Sequence, residues 1–115
     1  LDREIQQRIE TRRCPPHDPN LRPEEADLAI FVNTYIYISD RVDYLKRLKK
    51  GVPPGGRLLI IDFKKKNLPF GPPPELKLSL SRVEQELSTA GWQNVQSDDT
   101  SLDYQYIVMA TRGSE

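Results

Sequence analysis

Cysteine and histidine are nearly absent. Cys14 is the one thiol among 115 residues, which excludes an internal disulfide framework and leaves no cysteine set to hold zinc. His17 is the one histidine; without a second histidine or cysteine nearby it makes a poor metal site and reads as a solvated loop residue. Long apolar runs are missing too. None approaches the roughly 18–20 residues that cross a bilayer, and no signal peptide opens the chain, so a soluble, cytoplasmic protein without a membrane partner is expected. Neither sign of charge dominates: Lys plus Arg and Asp plus Glu each number 17, a net charge of +0. A nucleic-acid binder would concentrate basic charge. No HExxH, no GxSxG and no glycine-rich run ending in Gly-Lys-Ser/Thr occurs, so hydrolases, zinc enzymes and nucleoside triphosphatases lack support. The six glycines are Gly51, Gly55, Gly56, Gly71, Gly91 and Gly113, and they form no GxGxxG or GxG. Apolar residues make up 37% against 30% charged, which is low for a two-sided α/β core.

What is present is organised around residues 25–63, which read as a buried strand, a helix and a second buried strand, the βαβ unit of a parallel sheet. Residues 26–32 are apolar without alternation after Asp27, the pattern of a strand covered on both faces. Residues 58–63 share that character and include Asp62. Between them, Ser39 or Asp40 is placed to cap a helix whose Val42, Leu45 and Leu48 recur on one side. Arg41, Asp43, Lys46, Arg47, Lys49 and Lys50 take the other, and Gly51 ends it.

The flanking segments complete a single domain over 1–115. Residues 1–13 suggest an amino-terminal helix capped by Asp2, with Ile5 and Ile9 on one narrow face. Residues 14–24 form a proline-rich connector, in which Asp18 before Pro19 suits an Asx turn. The run Lys64, Lys65, Lys66 reads as a solvated strand exit, since lysines without interleaved aromatics make no nucleic-acid surface. Residues 67–74 carry three consecutive prolines and read as a rigid connector. Ser81 and Glu84 have capping-box spacing, with Ser79 as a cap one turn earlier. Leu80, Val83 and Leu87 make the buried stripe of that helix, and Ala90-Gly91 closes it. Residues 92–100 and 104–111 then read as an antiparallel hairpin, and 113–115 as a frayed terminus.

This order resembles class I S-adenosylmethionine-dependent methyltransferases. The residues that carry the likeness are Asp27-Leu28-Ala29 opening a strand, a helix rich in Leu, Lys and Arg, the Pro54-Gly55-Gly56-Arg57 turn and Leu58-Leu59-Ile60-Ile61-Asp62-Phe63. The closing helix, Gly91-Trp92, and the strand with Tyr104-Gln105-Tyr106 extend it over roughly residues 16–111. The resemblance implies a partial Rossmann-like sheet: a βαβ unit, a helix and an antiparallel terminal hairpin. It also implies S-adenosylmethionine as cofactor. Asn33, Thr34 and Tyr35, at the carboxyl end of the first strand, would contact its methionine end, and Asp18 would accept from the adenine amino group. Ligands of open α/β sheets do sit outside the carboxyl ends of strands. Tyr37 and Phe70 are substrate-pocket candidates, equally readable as packing aromatics. Family members with Asn-Thr-Tyr often continue with histidines where Ile36 and Tyr37 stand, so a general base is absent at that place and no catalytic residue is assigned.

The glycine-rich cofactor turn of the family has no counterpart here, and the segment before Asp27 is too short for three strands and their helices. The resemblance therefore covers the carboxyl-terminal half of such a domain, 25–112, lacking most of the cofactor site. An edge left unpaired along strand 26–32 predicts a homodimer or pairing with an amino-terminal half, with a cover by residues 1–13 as the competing arrangement. Two further readings stand beside the methyltransferase: a non-catalytic oligomerisation or partner-binding module derived from one, and a fragment of another nucleotide-binding α/β protein. Methyl transfer by direct displacement needs alignment and exclusion of water more than a protein nucleophile. The charge balance favours a small-molecule substrate.

Overall fold

The computed structural model describes residues 2–114; Leu1 of the expected amino-terminal helix and Glu115 of the expected frayed terminus lie outside them. A short helix α1 (Arg3–Gln7) is followed by β1 (Leu28–Val32), a 3₁₀ turn (Tyr35–Tyr37), α2 (Arg41–Lys50) and β2 (Arg57–Phe63). A second 3₁₀ turn (Pro74–Leu76), α3 (Leu80–Thr89), β3 (Gln93–Asp98) and β4 (Gln105–Thr111) complete the chain. The four strands form one sheet in the order β1-β2-β4-β3. β1 runs parallel to β2, with Ala29 opposite Leu58 and Phe31 opposite Ile60. β4 is antiparallel to both β2 and β3. The fold is thus the expected α/β arrangement of a βαβ unit, a helix and an antiparallel hairpin.

Side-chain parity puts Leu58, Ile60, Val108 and Ala110 on one face of the sheet, where they pack with Leu45 and Leu48 of α2 and Val83 and Leu87 of α3. Trp92 closes the core between them. It is 3% exposed, and its Nε1 donates to the Leu45 carbonyl at 3.1 Å, which satisfies the polar end of a buried indole.

The opposite face is open, and here the two-sided cover expected from residues 26–32 fails. Leu28, Ile30 and Val32 are 44%, 52% and 49% exposed. Leu59, Ile61, Ile107 and Met109 beside them are half-buried. Among the described residues no helix lies over them, because α2 and α3 both return to the other side. α1 does not serve as a cover: it spans five residues instead of the predicted thirteen and buries none, while Ile5 and Ile9 stay half exposed. A one-turn helix without a packed face has little beyond its own hydrogen bonds to hold it.

At the two longer helix starts, Asp40 fails as a side-chain cap, and Ser79, one of the two serines expected, serves as one. Asp40 precedes α2 with φ 49° and its side chain makes no capping bond, because the usual cap needs extended backbone at that residue. α3 begins after Ser79, whose hydroxyl accepts from the Arg82 amide at 3.2 Å. Ser81 therefore lies inside the helix, and Glu84, its supposed capping-box partner, accepts from Ser97 at 2.6 Å instead.

Candidate functional site

Chemistry in an open α/β sheet belongs at the carboxyl ends of its parallel strands. At that end β1 leads into Asn33, whose backbone takes φ 57°. Asparagine tolerates this left-handed region better than most residues, and the reversal turns the chain out of the sheet into the Tyr35–Tyr37 turn. The Asn33 amide still donates to the Ile61 carbonyl at 2.8 Å. Its side-chain Oδ1 accepts from Gln105 Nε2 at 2.6 Å, a bond that joins the ends of β1 and β4 across 72 residues of sequence. Thr34 is exposed, Tyr35 fully buried and Tyr37 69% exposed.

One buried acid holds this turn, and a second lies at the end of the neighbouring strand. Glu86 of α3, itself 6% exposed, accepts from the Tyr35 hydroxyl at 2.8 Å. It also receives both arms of Arg41, Nε at 2.9 Å and Nη2 at 3.0 Å, and Arg82 Nε at 3.2 Å. Burial pushes the Glu86 carboxyl up, but the bonds from Arg41 and Tyr35 outweigh it and hold the group below its ordinary value. Burial, then the bond to Glu86, drives the Tyr35 hydroxyl far above the usual tyrosine range, so it is a fixed donor with no part in acid-base chemistry. The second acid is Asp62, at the carboxyl end of β2 and 1% exposed. Its Oδ1 accepts from the Phe63 amide at 2.8 Å, and burial raises its pKa.

Beyond β2 the aromatics gather separately. Phe63, Phe70 and Tyr104 stack edge to face, with ring centroids 6.0 Å and 4.9 Å apart in succession. The lysine run beside them is only partly the solvated exit that its composition predicts: Lys65 Nζ donates to the Pro74 and Lys77 carbonyls at 2.8 Å each, and Lys77 Nζ to the Lys66 carbonyl at 2.8 Å. These bonds brace the proline-rich connector against the strand exit.

Of the residues singled out from sequence, Asn33, Thr34, Tyr35 and Tyr37 share one short loop. Tyr35 faces inward, so its side chain is structural and only its backbone remains available to a ligand. Tyr37 lines a cleft of about 670 Å³ together with Asp40, Arg41, Lys46 and Arg82, whereas Phe70 belongs to the aromatic cluster on Phe63. Asp18 is held elsewhere. Its Oδ1 accepts from the Asn20 amide at 2.8 Å, the Asx turn, and its Oδ2 lies 3.7 Å from Arg47 Nη1 of α2. Sequence reasoning missed Glu86, Asp62, Arg41 and Gln105. For two of them a signal existed: Glu86 falls on the stripe of Val83, Leu87 and Ala90, and Asp62 on the buried parity of Leu58 and Ile60, where an acid demands partners.

No family model matches the chain, and no curated protein matches it. Solved structures do. Over 95% of its length the chain is similar to 60% of a SAM-dependent methyltransferase from Aquifex aeolicus, with a TM-score of 0.85 and 25% identity. The apo form of the S-adenosylmethionine-dependent methyltransferase SibL aligns over 95% of this chain and 37% of its own, with a TM-score of 0.73 and 18% identity. Phosphoethanolamine N-methyltransferase 2 of Haemonchus contortus, solved with S-adenosyl-L-methionine, aligns over 82% and 35%, with a TM-score of 0.65 and 9% identity. The chain therefore spans 60% or less of the length of these proteins and has part of the class I methyltransferase fold.

Proposed function

We propose that this chain, which carries part of the class I S-adenosylmethionine-dependent methyltransferase fold, serves methyl transfer from that cofactor to a small molecule, and that its Asn33–Tyr37 loop forms one wall of the cofactor site. The observation that supports this reading is the superposition with the Aquifex aeolicus methyltransferase at a TM-score of 0.85 over 95% of the chain. The loop fits such a role physically. Its backbone leaves the sheet at a left-handed Asn33, is fastened by Gln105 and Glu86, and presents Thr34 and Tyr37 outward. Alignment of a sulfonium with a nucleophile needs rigid walls, and two buried anchors supply rigidity.

The rest of the cofactor site, with its glycine-rich turn, has to come from polypeptide that continues the sheet beyond β1. We assign the open edge and face of β1 to that partner, the amino-terminal half of a methyltransferase domain. The part of the Aquifex aeolicus protein without a counterpart here is the measure of what is missing, and a row of Leu28, Ile30 and Val32 exposed by 44–52% is what it would cover. A second copy of this chain is the competing occupant.

Calorimetric titration of the chain with S-adenosylhomocysteine tests the reading. Binding that is lost on Asn33→Ala is the expected result. Absence of heat at high ligand concentration would mean that the missing amino-terminal polypeptide is essential for binding, leaving this chain as the scaffold half of the site. Sedimentation over a dilution series separates the occupants: a concentration-dependent dimer, abolished by Ile30→Lys, identifies a second copy.

A further inference from the structure

We infer that Gln105 is a positioning residue for the proposed site: by occupying Oδ1 of Asn33 it leaves Nδ2 as the group the ligand meets, so that the ligand atom seated beside β1 is a hydrogen-bond acceptor. For the ligand, the inference rests on the cofactor reading and deepens it. β1 and β4 share no ladder, because β2 lies between them, and at about 4.8 Å per strand spacing they run roughly 10 Å apart. Register places the crossing. Val32 stands opposite Ile61 and Phe63 opposite Gln105, so Asn33 comes level with Asp62, and Gln105 lies one residue further along β2. The bond from Gln105 Nε2 to Asn33 Oδ1, 2.6 Å long, is therefore a strap across the last residues of β2. An extended residue 33 would send its side chain to the face opposite that of Val32, whereas Gln105 shares the open face with Ile107 and Met109. The left-handed backbone of Asn33, φ 57°, brings the two amides to one side.

An asparagine side chain has one acceptor oxygen and an amine with two N–H donors, and its bonds decide which end serves which neighbour. At Asn33 the backbone N–H goes to Ile61 and Oδ1 to Gln105. Among the described residues Nδ2 has no partner, and neither has Oε1 of Gln105. The strap thus has a polarity, with a donor left over at β1 and an acceptor left over at β4. A reversed strap, Asn33 Nδ2 donating to Gln105 Oε1, would exchange the two ends. Asn33 is half-buried, and a donor covered by ligand without an acceptor carries a cost; a ligand oxygen or nitrogen with a free lone pair removes it. Aspartate at position 33 would keep Oδ1 for Gln105 and tolerates the left-handed region, yet it has no donor to give. That substitution separates the strap from the contact to ligand.

The test begins with the native chain. By nuclear magnetic resonance the bonded Gln105 Nε2 proton is expected to exchange about tenfold or more slower than either proton on Asn33 Nδ2. The opposite order, or equal rates, overturns the polarity and with it the proposal, and this result needs no variant to fold. Titration with S-adenosylhomocysteine then reads the ligand. Asn33→Asp is expected to keep the slow Gln105 proton and the native melting temperature, and to bind about tenfold or more weakly. Native affinity in that variant overturns the donor role of Nδ2. Gln105→Met removes the strap and leaves Asn33 its amide; a loss of affinity is expected, and native affinity in a folded Gln105→Met protein overturns the positioning role. A native chain that binds no S-adenosylhomocysteine fails the cofactor reading instead, and the exchange order of the two amides still decides the polarity of the strap.

Discussion

Glu86→Ala is expected to lower stability by about 3–5 kcal/mol, the usual cost of removing one partner from a buried ion pair, and to drop the melting temperature by roughly 10–20 °C. The size follows from what is left behind. Arg41 loses both arms of its bidentate contact, and the Tyr35 hydroxyl, in a fully buried residue, loses its acceptor. Arg82, more than half exposed, can turn to water and adds little. The variant Glu86→Leu combined with Arg41→Met separates attraction from desolvation. Apolar replacement of a whole buried pair is often close to neutral, so the double variant should recover the part of the loss due to the stranded Arg41 charge, while the Tyr35 hydroxyl still lacks its acceptor. Glu4→Ala is the control, because its pair with Arg8 is some three-quarters exposed and such pairs contribute little. Equal melting temperatures for Glu86→Ala and Glu4→Ala would sink the idea that this network holds α2, α3 and the turn together.

The two buried acids bend the pH profile in opposite senses. The folded Glu86 carboxyl lies below its unfolded value, so its contribution is present above the unfolded value and is lost as pH falls through the folded one. Asp62 is raised; its contribution is present below the unfolded value and is lost as pH rises through the folded one. Between the unfolded aspartate value and the folded Asp62 value, stability should therefore fall with rising pH on account of Asp62. Chemical denaturation of Asp62→Asn across mild acid checks the sign: that downward slope should be missing, leaving the rise with pH that Glu86 shares with the other lowered carboxylates, Glu25, Asp43 and Asp98.

The local architecture was legible because it is periodic. Val42, Leu45 and Leu48 placed α2, the apolar run of residues 58–63 placed β2, and the prolines and Ala90-Gly91 punctuated the rest. The likeness to methyltransferases rested on the same short-range features and agrees with the solved structures. What the sequence hid is long-range or relational. The bond from Gln105 to Asn33 spans 72 residues, and nothing local to either residue announces it. Residues 28–32 carry the composition of a strand covered on both faces, yet composition records the environment a strand suits and not whether the same chain provides the cover. Asp18 shows the opposite case, where the plain reading as an Asx turn is what the structure has.

The Pro54-Gly55-Gly56-Arg57 turn holds two glycines with different reasons to be there, and substitution should tell them apart. Gly56→Ala is expected to cost about 3 kcal/mol, the upper part of the range for forcing a group into packed space. A Cβ there would stand 2.3 Å from Val52 Cγ1, 2.9 Å from the Pro53 carbonyl oxygen and 3.2 Å from that of Asp27. Two of the three are backbone, and that backbone is committed: Gly56 donates to Pro53 at 2.8 Å, Arg57 donates to Asp27 at 3.0 Å, and Arg112 donates to the Gly56 carbonyl at 2.9 Å. Relief therefore has to move the start of β2 against β1 or β4. Gly55 meets nothing within 4 Å but adopts φ +84°, so Gly55→Ala should cost only about 1 kcal/mol, the penalty of a left-handed alanine. Gly55→Asn should recover part of that, since asparagine tolerates this region. Denaturant midpoints of the three variants decide the matter: the larger loss at position 55 would mean that backbone handedness, and not the close packing of Val52 under the turn, is what requires the glycine pair.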